Sequence, residues 1–387
     1  MLAGKKRTML SNFNGGLYIH IPYCKKACKY CNFHFTTSLA HKVELIDALI
    51  LEIKHRADLF PEKKLRTVYF GGGTPSLLTP GEINRIFDQV NKTFDTSQMT
   101  EITMEANPDD LTSHYLSELQ HTPVNRLSIG VQSFHEEDLH WMGRAHDVTQ
   151  AMECIPNAYK YGFNDLSVDL IFGYELLSNA KLNYNLDLLN SWKVKHISAY
   201  SLTVEDKTQL FKSVKKGLDK LPDAEHAAGQ FLMISKYLTG HGYEHYEISN
   251  FSLPDHNAVH NGNYWKGVEY IGIGPSAHSF YNKKRYWNVA NNSQYIKSIN
   301  EGVLPHSEET IDDKTAYNEL ILTRLRTKWG VSREEIEVID PEFYAYFLTE
   351  AKVHLDEGSI VKSGDKFLLS LKGKLIADHI TSELFLV

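Results

Sequence analysis

The chain has 387 residues, 42% hydrophobic and 23% charged, an ordinary globular composition that excludes a disordered chain and is long enough for one large domain plus one small one. A formal net charge of −7 argues against nucleic acid as a main partner, and no apolar run reaches spanning length, since Asp47 and Glu52 interrupt Leu45–Ile53. Four cysteines, three of them within Cys24–Cys31 and Cys154 far away, make no disulfide framework.

From the N-terminus, Met1–Gly16 carries Lys5, Lys6 and Arg7 without a following apolar stretch, so no signal peptide is read. Leu17–Ile21 predicts a short strand closed by Pro22. Cys24, Cys28 and Cys31 follow at C-x3-C-x2-C spacing in a loop too short to span two elements. A helix is predicted over Lys42–Leu59, a strand over Thr67–Phe70, and a helix over Pro80–Val90 whose start carries a capping-box pattern at Thr79-Pro80-Gly81-Glu82. The alternation continues with strands Glu101–Glu105, Arg126–Val131, Asp165–Phe172 and His196–Leu202, separated by helices Ser113–Leu119, Thr149–Tyr161 and Ser178–Leu189. Six β/α units in series predict a parallel sheet with right-handed crossovers, curled into a barrel or most of one, with working residues at the C-terminal strand ends. Helix Ala224–Leu238, strand candidate Gly242–Ile248, a loop over His256–Gly267 and the run Tyr270–Pro275 come next. After about Asn292 the character changes to a helix over Asp313–Lys328, more helix to about Leu355, and a hairpin over Gly358–Leu371 turning at Ser363-Gly364-Asp365.

Three thiolates in one short loop can hold three irons of a [4Fe–4S] cluster and leave the fourth iron open, or they can form a structural zinc site with His34, since Cys31-x2-His34 is a permitted ligand step. A thiolate cluster needs a reducing compartment, so the cytoplasm is expected, with peripheral membrane association left open. Gly71-Gly72-Gly73-Thr74-Pro75 follows a strand, where glycines let backbone amides approach a ligand or simply turn the chain; with no Gly-Lys-Ser/Thr it is not a phosphate loop. Glu105 ends a strand and can accept hydrogen bonds from a ribose or an amine. Gln132 and Asp169 lie on later strands. Arg144 just beyond can grip a carboxylate bidentately, although each of these alone reads as a surface or salt-bridge residue. In His260-Asn261-Gly262-Asn263-Tyr264-Trp265 an imidazole beside aromatics could ligate heme iron, or the loop could simply pack on them. Ile271-Gly272-Ile273-Gly274-Pro275 could contact an adenine.

With Tyr18-Ile19-His20-Ile21-Pro22-Tyr23-Cys24, the glycine loop and Gly130-Val131-Gln132-Ser133-Phe134, the cysteine loop resembles radical S-adenosylmethionine (SAM) enzymes. Within them the chain resembles, over nearly its whole length, the oxygen-independent coproporphyrinogen III oxidase-like family, whose enzymatic members are the coproporphyrinogen III dehydrogenases. The HNxxYW run at His260 resembles the family's heme chaperone (HemW-type) branch. The resemblance implies an α/β fold, a partial (β/α)6 TIM-type barrel over 1–290 with a small helical and winged C-terminal domain over 291–387. It implies a [4Fe–4S] cluster on Cys24, Cys28 and Cys31, and SAM held by Tyr18, Gly72, Gly73, Thr74, Glu105, Gln132, Arg144 and Asp169, some of which serve a second SAM in the dehydrogenase. His260 is the candidate heme-binding residue.

One departure matters. The porphyrinogen dehydrogenase pattern has a further cysteine two positions after the third, where this chain has Asn32 and Phe33. Together with HNxxYW this points to a chaperone that delivers heme to respiratory heme proteins. The alternatives are oxidative decarboxylation of coproporphyrinogen III propionates and radical chemistry on another substrate, so enzyme status stays open. Implied partners are heme or porphyrin, recipient heme proteins, and a flavodoxin or ferredoxin as electron donor if SAM is cleaved; no nucleic acid and no transmembrane segment are expected.

Overall fold

A computed structural model describes residues 14–57 and 64–387. The N-terminal basic residues and the last two residues of the expected first helix, Lys42–Leu59, lie outside them. Strands β1 (Asn14–Ile21), β2 (Lys64–Gly72), β3 (Glu101–Ala106), β4 (Arg126–Gln132), β5 (Leu166–Phe172) and β6 (His196–Ser201) pair in parallel and in chain order. Helices α1 (Lys42–Arg56), α2 (Pro80–Thr93), α3 (Ser113–Leu119), α4 (Glu136–Met142), α5 (Val148–Lys160) and α6 (Asn179–Ser191) fill the crossovers. The capping box at α2 is present, Thr79 and Glu82 each accepting the other's backbone N–H.

The remaining strands extend this sheet at both ends. After α7 (Gln209–Lys215) and α8 (Ala224–Gly240), the short β7 (Glu244–His245) pairs antiparallel with β8 (Asn250–Ser252), which itself runs antiparallel against β6. Then α9 (Val259–Trp265) leads to β9 (Tyr270–Ile273), which returns parallel beside β1, and β10 (His278–Tyr281) and β11 (Lys284–Asn288) follow antiparallel. After α10 (Asn292–Asn300), β12 (His306–Thr310) forms one edge of the twelve-stranded sheet; β7 forms the other, and the two edges do not pair, so the sheet is open.

Alternation along β1 separates two environments. Leu17, Ile19 and Ile21 are fully buried against the helices, while Tyr18 and His20 face inward, Tyr18 stacking on Tyr69 of β2. A buried knot on α1 ties on the extension. Glu52 accepts from Arg56 Nε (2.7 Å), Asn288 Nδ2 (2.8 Å), the Gly274 amide (2.7 Å) and the Tyr295 hydroxyl (2.5 Å).

A second core draws on Tyr317, Ile321, Val331, Phe347 and Phe367, from α11 (Asp313–Leu325), β13 (Val331–Ser332), α13 (Pro341–Asp356), which follows α12 (Arg333–Ile339), and the hairpin β14 (Ile360–Ser363) and β15 (Lys366–Leu369). Tyr295 and Ile299 belong to the first core. Two expectations need correction. Residues 256–267 are not all loop, because α9 forms once Glu101 accepts the amides of Val259 (2.6 Å) and His260 (2.9 Å). Gly242–Ile248 is strand only at Glu244–His245, since the Tyr246 hydroxyl turns inward to His196 Nε2 (2.7 Å). Among the described residues no helix is long and apolar enough to cross a membrane.

Candidate cluster and cofactor site

The cysteine loop leaves β1 at Pro22 and is pinned where it returns: Cys24 N donates to Thr36 O (3.0 Å) and Thr36 N to Pro22 O (2.8 Å). Neighbouring elements brace its middle. Lys29 N donates to Met142 O at the end of α4, Leu210 N on α7 donates to Lys29 O, and Lys29 pairs with Asp219 at 2.6 Å. Lys25 pairs with Asp109 (2.7 Å) and with Asp110 just after β3. A loop held from four sides keeps Cys24, Cys28 and Cys31, all free thiols, in the wall of one cavity of about 420 Å³.

The glycine loop after β2 lies against them. Gly73 N donates to Ile21 O (2.9 Å) and Thr74 N to Tyr23 O (2.6 Å), while the Thr74 hydroxyl donates to Cys24 Sγ (3.5 Å). A side chain at Gly73 would strike Tyr23 O at 2.6 Å and Ile21 O at 2.8 Å, so only glycine allows this approach. Gly72 sits at φ +111°, and its amide donates to Glu105 Oε2 (3.0 Å); Glu105 Oε1 accepts from the Tyr69 hydroxyl (2.8 Å). Burial, with the Asp169 charge adding to it, pushes the Glu105 carboxyl up to about 7. Burial likewise raises Asp169 to about 6, against the opposing pull of Ser198, Arg126 and Arg144.

Arg144, just past α4, crosses the cavity. Its Nη1 donates to Cys28 Sγ (3.2 Å) and the Tyr30 hydroxyl (3.3 Å), its Nη2 to Asn107 Oδ1 (2.6 Å) and Gly130 O (2.7 Å), and its buried Nε has no partner. Gln132 closes β4 at φ +69°, a left-handed conformation rare outside glycine, with a register irregularity beside it.

Of the residues singled out from sequence, Cys24, Cys28, Cys31, Gly72, Gly73, Thr74, Glu105, Gln132, Arg144 and Asp169 share the cavity wall. Tyr18 does not; its hydroxyl is hydrogen-bonded with His20 Nδ1 (3.1 Å), and its ring braces Tyr69 beneath Glu105. His260 is also elsewhere. It plugs the barrel floor, where Nδ1 is hydrogen-bonded with Thr67 Oγ1 (2.8 Å) and Nε2 with Tyr264 OH (2.9 Å), and burial lowers its imidazole to about 3. The Ile271–Pro275 segment packs beside β1 and stays out of the cavity wall. Sequence reasoning missed Tyr30, Asn107, Ser128 and Tyr200 in that wall; Asn107, two residues past Glu105 at a strand end, was the most findable.

The donor set bears on the two metal readings. His34 is absent from the cavity wall, its Nε2 hydrogen-bonded with Asn292 Oδ1 (2.8 Å) and its carbonyl with His20 Nε2 (3.0 Å), so it does not complete a Cys3His zinc site. Among the described residues no three His, Cys, Asp or Glu side chains close on a single ion. Three thiols spread around one cavity fit a polynuclear centre that leaves one iron without a protein ligand. Burial pushes the Cys24 thiol up to about 11, so a bound cationic centre is what would draw its proton off. Phe33, where the dehydrogenase pattern has its extra cysteine, stands 67% exposed at the cavity rim.

Comparison with known proteins agrees with this geometry. The radical SAM superfamily matches residues 18–182. The heme chaperone HemW of Lactococcus lactis subsp. lactis is 34% identical over 321 residues, 83% of each chain. The heme chaperone HemW of Bacillus subtilis is 32% identical over 368 residues, 94% of this chain and 97% of that one. Among solved structures, coproporphyrinogen III oxidase (HemN) from Escherichia coli, described as a radical SAM enzyme, superposes with a TM-score of 0.82 at 22% identity, covering 97% of this chain and 91% of that one, which shows a common fold. A cysteine-lined cavity at the C-terminal ends of parallel strands, in a chain this similar to two heme chaperones over most of its length, places it in the HemW heme chaperone family of the radical SAM superfamily.

Proposed function

We propose that this chain takes up heme and passes it to respiratory heme proteins, working as a chaperone on a radical SAM scaffold. The observation that carries the reading is the similarity to proteins named heme chaperones over 83% and 94% of this chain. Phe33, at the position of the dehydrogenase pattern's further cysteine, supports it. Membership of the radical SAM superfamily implies a [4Fe–4S] cluster and SAM. Cys24, Cys28 and Cys31 would hold the cluster, which when bound supplies an electron and an open iron for SAM. The chain's own residues do the positioning. The Gly72–Gly73 backbone allows close approach, Arg144 and the Thr74 hydroxyl orient Cys28 and Cys24, and Glu105 offers an acceptor to a ribose or amine. Gln132 and Asp169 line the same wall, and Tyr18 acts from behind Tyr69.

We further place the division between barrel and C-terminal units near residue 312, because β12 still belongs to the large sheet and the second core begins at Tyr317. A cytoplasmic location, and a flavodoxin or ferredoxin as donor where SAM is cleaved, complete the proposal.

Titration of the full-length protein with heme, followed by transfer to an apo-cytochrome, tests it. One heme bound per chain and a holo-cytochrome product are expected, and lack of stoichiometric binding overturns it. The likeness to HemN, which extends to the fold, favours a second reading as coproporphyrinogen III dehydrogenase. An anaerobic assay of reconstituted protein that yields no protoporphyrinogen removes that reading.

A further inference from the structure

The inward face of the sheet continues past the cavity onto the extension, and strand register traces it. Gly16 on β1 pairs with Tyr270 on β9, and Tyr270 with Phe280 on β10. A Cβ on Gly16 would meet Thr67 and His260, so this side of β1 is the barrel interior. Side chains two apart share a face, which puts His278 inward with Phe280; their partners on β11, Trp287 and Arg285, join them. The His278 and Trp287 rings confirm the shared face, lying 6.4 Å apart with planes at 26°. Unlike the deep floor around His260, this stretch is open. His278 is exposed and Tyr270, Phe280 and Trp287 are half-buried.

Four histidines bear on the barrel interior or on this face, and their hydrogen bonds differ. His20 spends Nδ1 on the Tyr18 hydroxyl and Nε2 on the His34 carbonyl, His34 spends Nε2 on Asn292, and His260 spends both nitrogens on Thr67 and Tyr264. His278 is the one of these four whose ring nitrogens both lack a hydrogen-bond partner. The groups facing it are Arg285 of β11, Glu309 of β12 and His20 of β1. Burial, then the Arg285 charge, lowers its pKa, with Glu309 opposing, so the ring is neutral at neutral pH and offers a lone pair. Arg285 is itself held by Glu309 (3.1 Å) and Glu319 (2.5 Å), which fixes it as part of the wall. The cysteine-lined cavity has no histidine in its wall.

We propose that heme docks on the inward face of β9–β11, with His278 as an axial ligand to the iron and the Trp287 indole against the macrocycle. This rests on the heme chaperone reading and names the site for it. A neutral, unpartnered imidazole beside a half-exposed indole is a donor set for a planar metal complex, and coordination displaces a water from the iron without moving an electron.

The test is a hemin titration of the full-length protein, read by the Soret band, with His278→Ala and His260→Gln run alongside. Wild type is expected to saturate at one heme per chain. His278→Ala should lose the wild-type Soret position and bind at least about tenfold more weakly, and imidazole added in excess should restore the wild-type spectrum. His260→Gln should keep the wild-type band. Because His278 is exposed, its variant should melt with wild type. A His278→Ala protein with unchanged Soret position and affinity, or loss of the band in His260→Gln alone, overturns the assignment while leaving the chaperone reading standing. Absence of any heme binding by wild type overturns both.

Discussion

Replacing Glu105 with glutamine separates what this carboxylate costs the fold from what it contributes to the cofactor. Its oxygens accept from the Tyr69 hydroxyl and the Gly72 amide, and burial raises it from 4.5 to about 7. A carboxyl raised in the folded state holds its proton while the unfolded chain has lost it. Folding therefore carries no penalty below pH 4.5, a growing one from 4.5 to 7, and a constant one above. A shift of that size amounts to roughly 3 kcal/mol at full burial, and screening at an open cavity reduces it to about 1–2 kcal/mol. Glutamine is the neutral isostere, and the Tyr69 hydroxyl can rotate to accept from its amide. Without cofactor, Glu105→Gln should melt a few degrees above wild type at pH 8 and with it near pH 4.5.

For SAM the sign reverses. An acceptor for a ribose or amine works best ionised, and a group titrating near 7 is about one-tenth ionised at pH 6 and about nine-tenths at pH 8. Wild-type affinity should gain about tenfold across that range from this group alone, and the variant none. Equilibrium dialysis with labelled SAM on anaerobically reconstituted protein measures both. The ratio of the two dissociation constants cancels the titration of SAM's own amino group. A ratio constant within about twofold from pH 6 to 8 refutes the reasoning.

Two further substitutions probe the frame around that group. Gly73→Ala places a methyl within 2.6 Å of Tyr23 O and 2.8 Å of Ile21 O, backbone atoms that cannot step aside, so the loop must move. A loss of about 1–3 kcal/mol and at least tenfold weaker SAM binding are expected, and wild-type binding by dialysis would refute the close approach. Glu52→Ala leaves Arg56 buried without its carboxylate and frees Asn288, Gly274 and Tyr295 together. A cost of about 3–5 kcal/mol is expected in denaturant unfolding, and a change below about 0.5 kcal/mol would refute the knot.

How far these features were legible depends on the range of the contacts behind them. The β1–β6 alternation reads from local runs such as Val68-Tyr69-Phe70, because burial on one or both faces writes its own period. The three cysteines stand out by their C-x3-C-x2-C spacing, which left a cluster and a zinc site with His34 both open, and the family resemblance favoured the cluster. The extension β10–β12 did not read, since segments such as His306-Ser307-Glu308-Glu309-Thr310 are polar edge sequences that become strands only beside Arg285 and Trp287. Helix α9 was hidden for the same reason. The carboxylate that satisfies its first amides is Glu101, which sits 158 residues before Val259, and no propensity within Val259–Trp265 announces it.

The reading of His260 as a candidate ligand turns on the same difference between sequence and space. A histidine next to tyrosine and tryptophan in sequence reads as a ligand beside stacking rings, whereas in space Tyr264 and Thr67 consume both of its nitrogens. His278 has no such motif around it, and its aromatic neighbour Trp287 reaches it only across a strand pair. Ligand capacity belongs to the imidazole left over after internal hydrogen bonds are assigned, and that remainder is a property of the fold. The Glu52 knot, which ties Gly274 of the β9–β10 connection and Asn288 of β11 to α1, therefore bears on the proposed heme site as well as on stability. It is what holds the His278 face in line with the barrel.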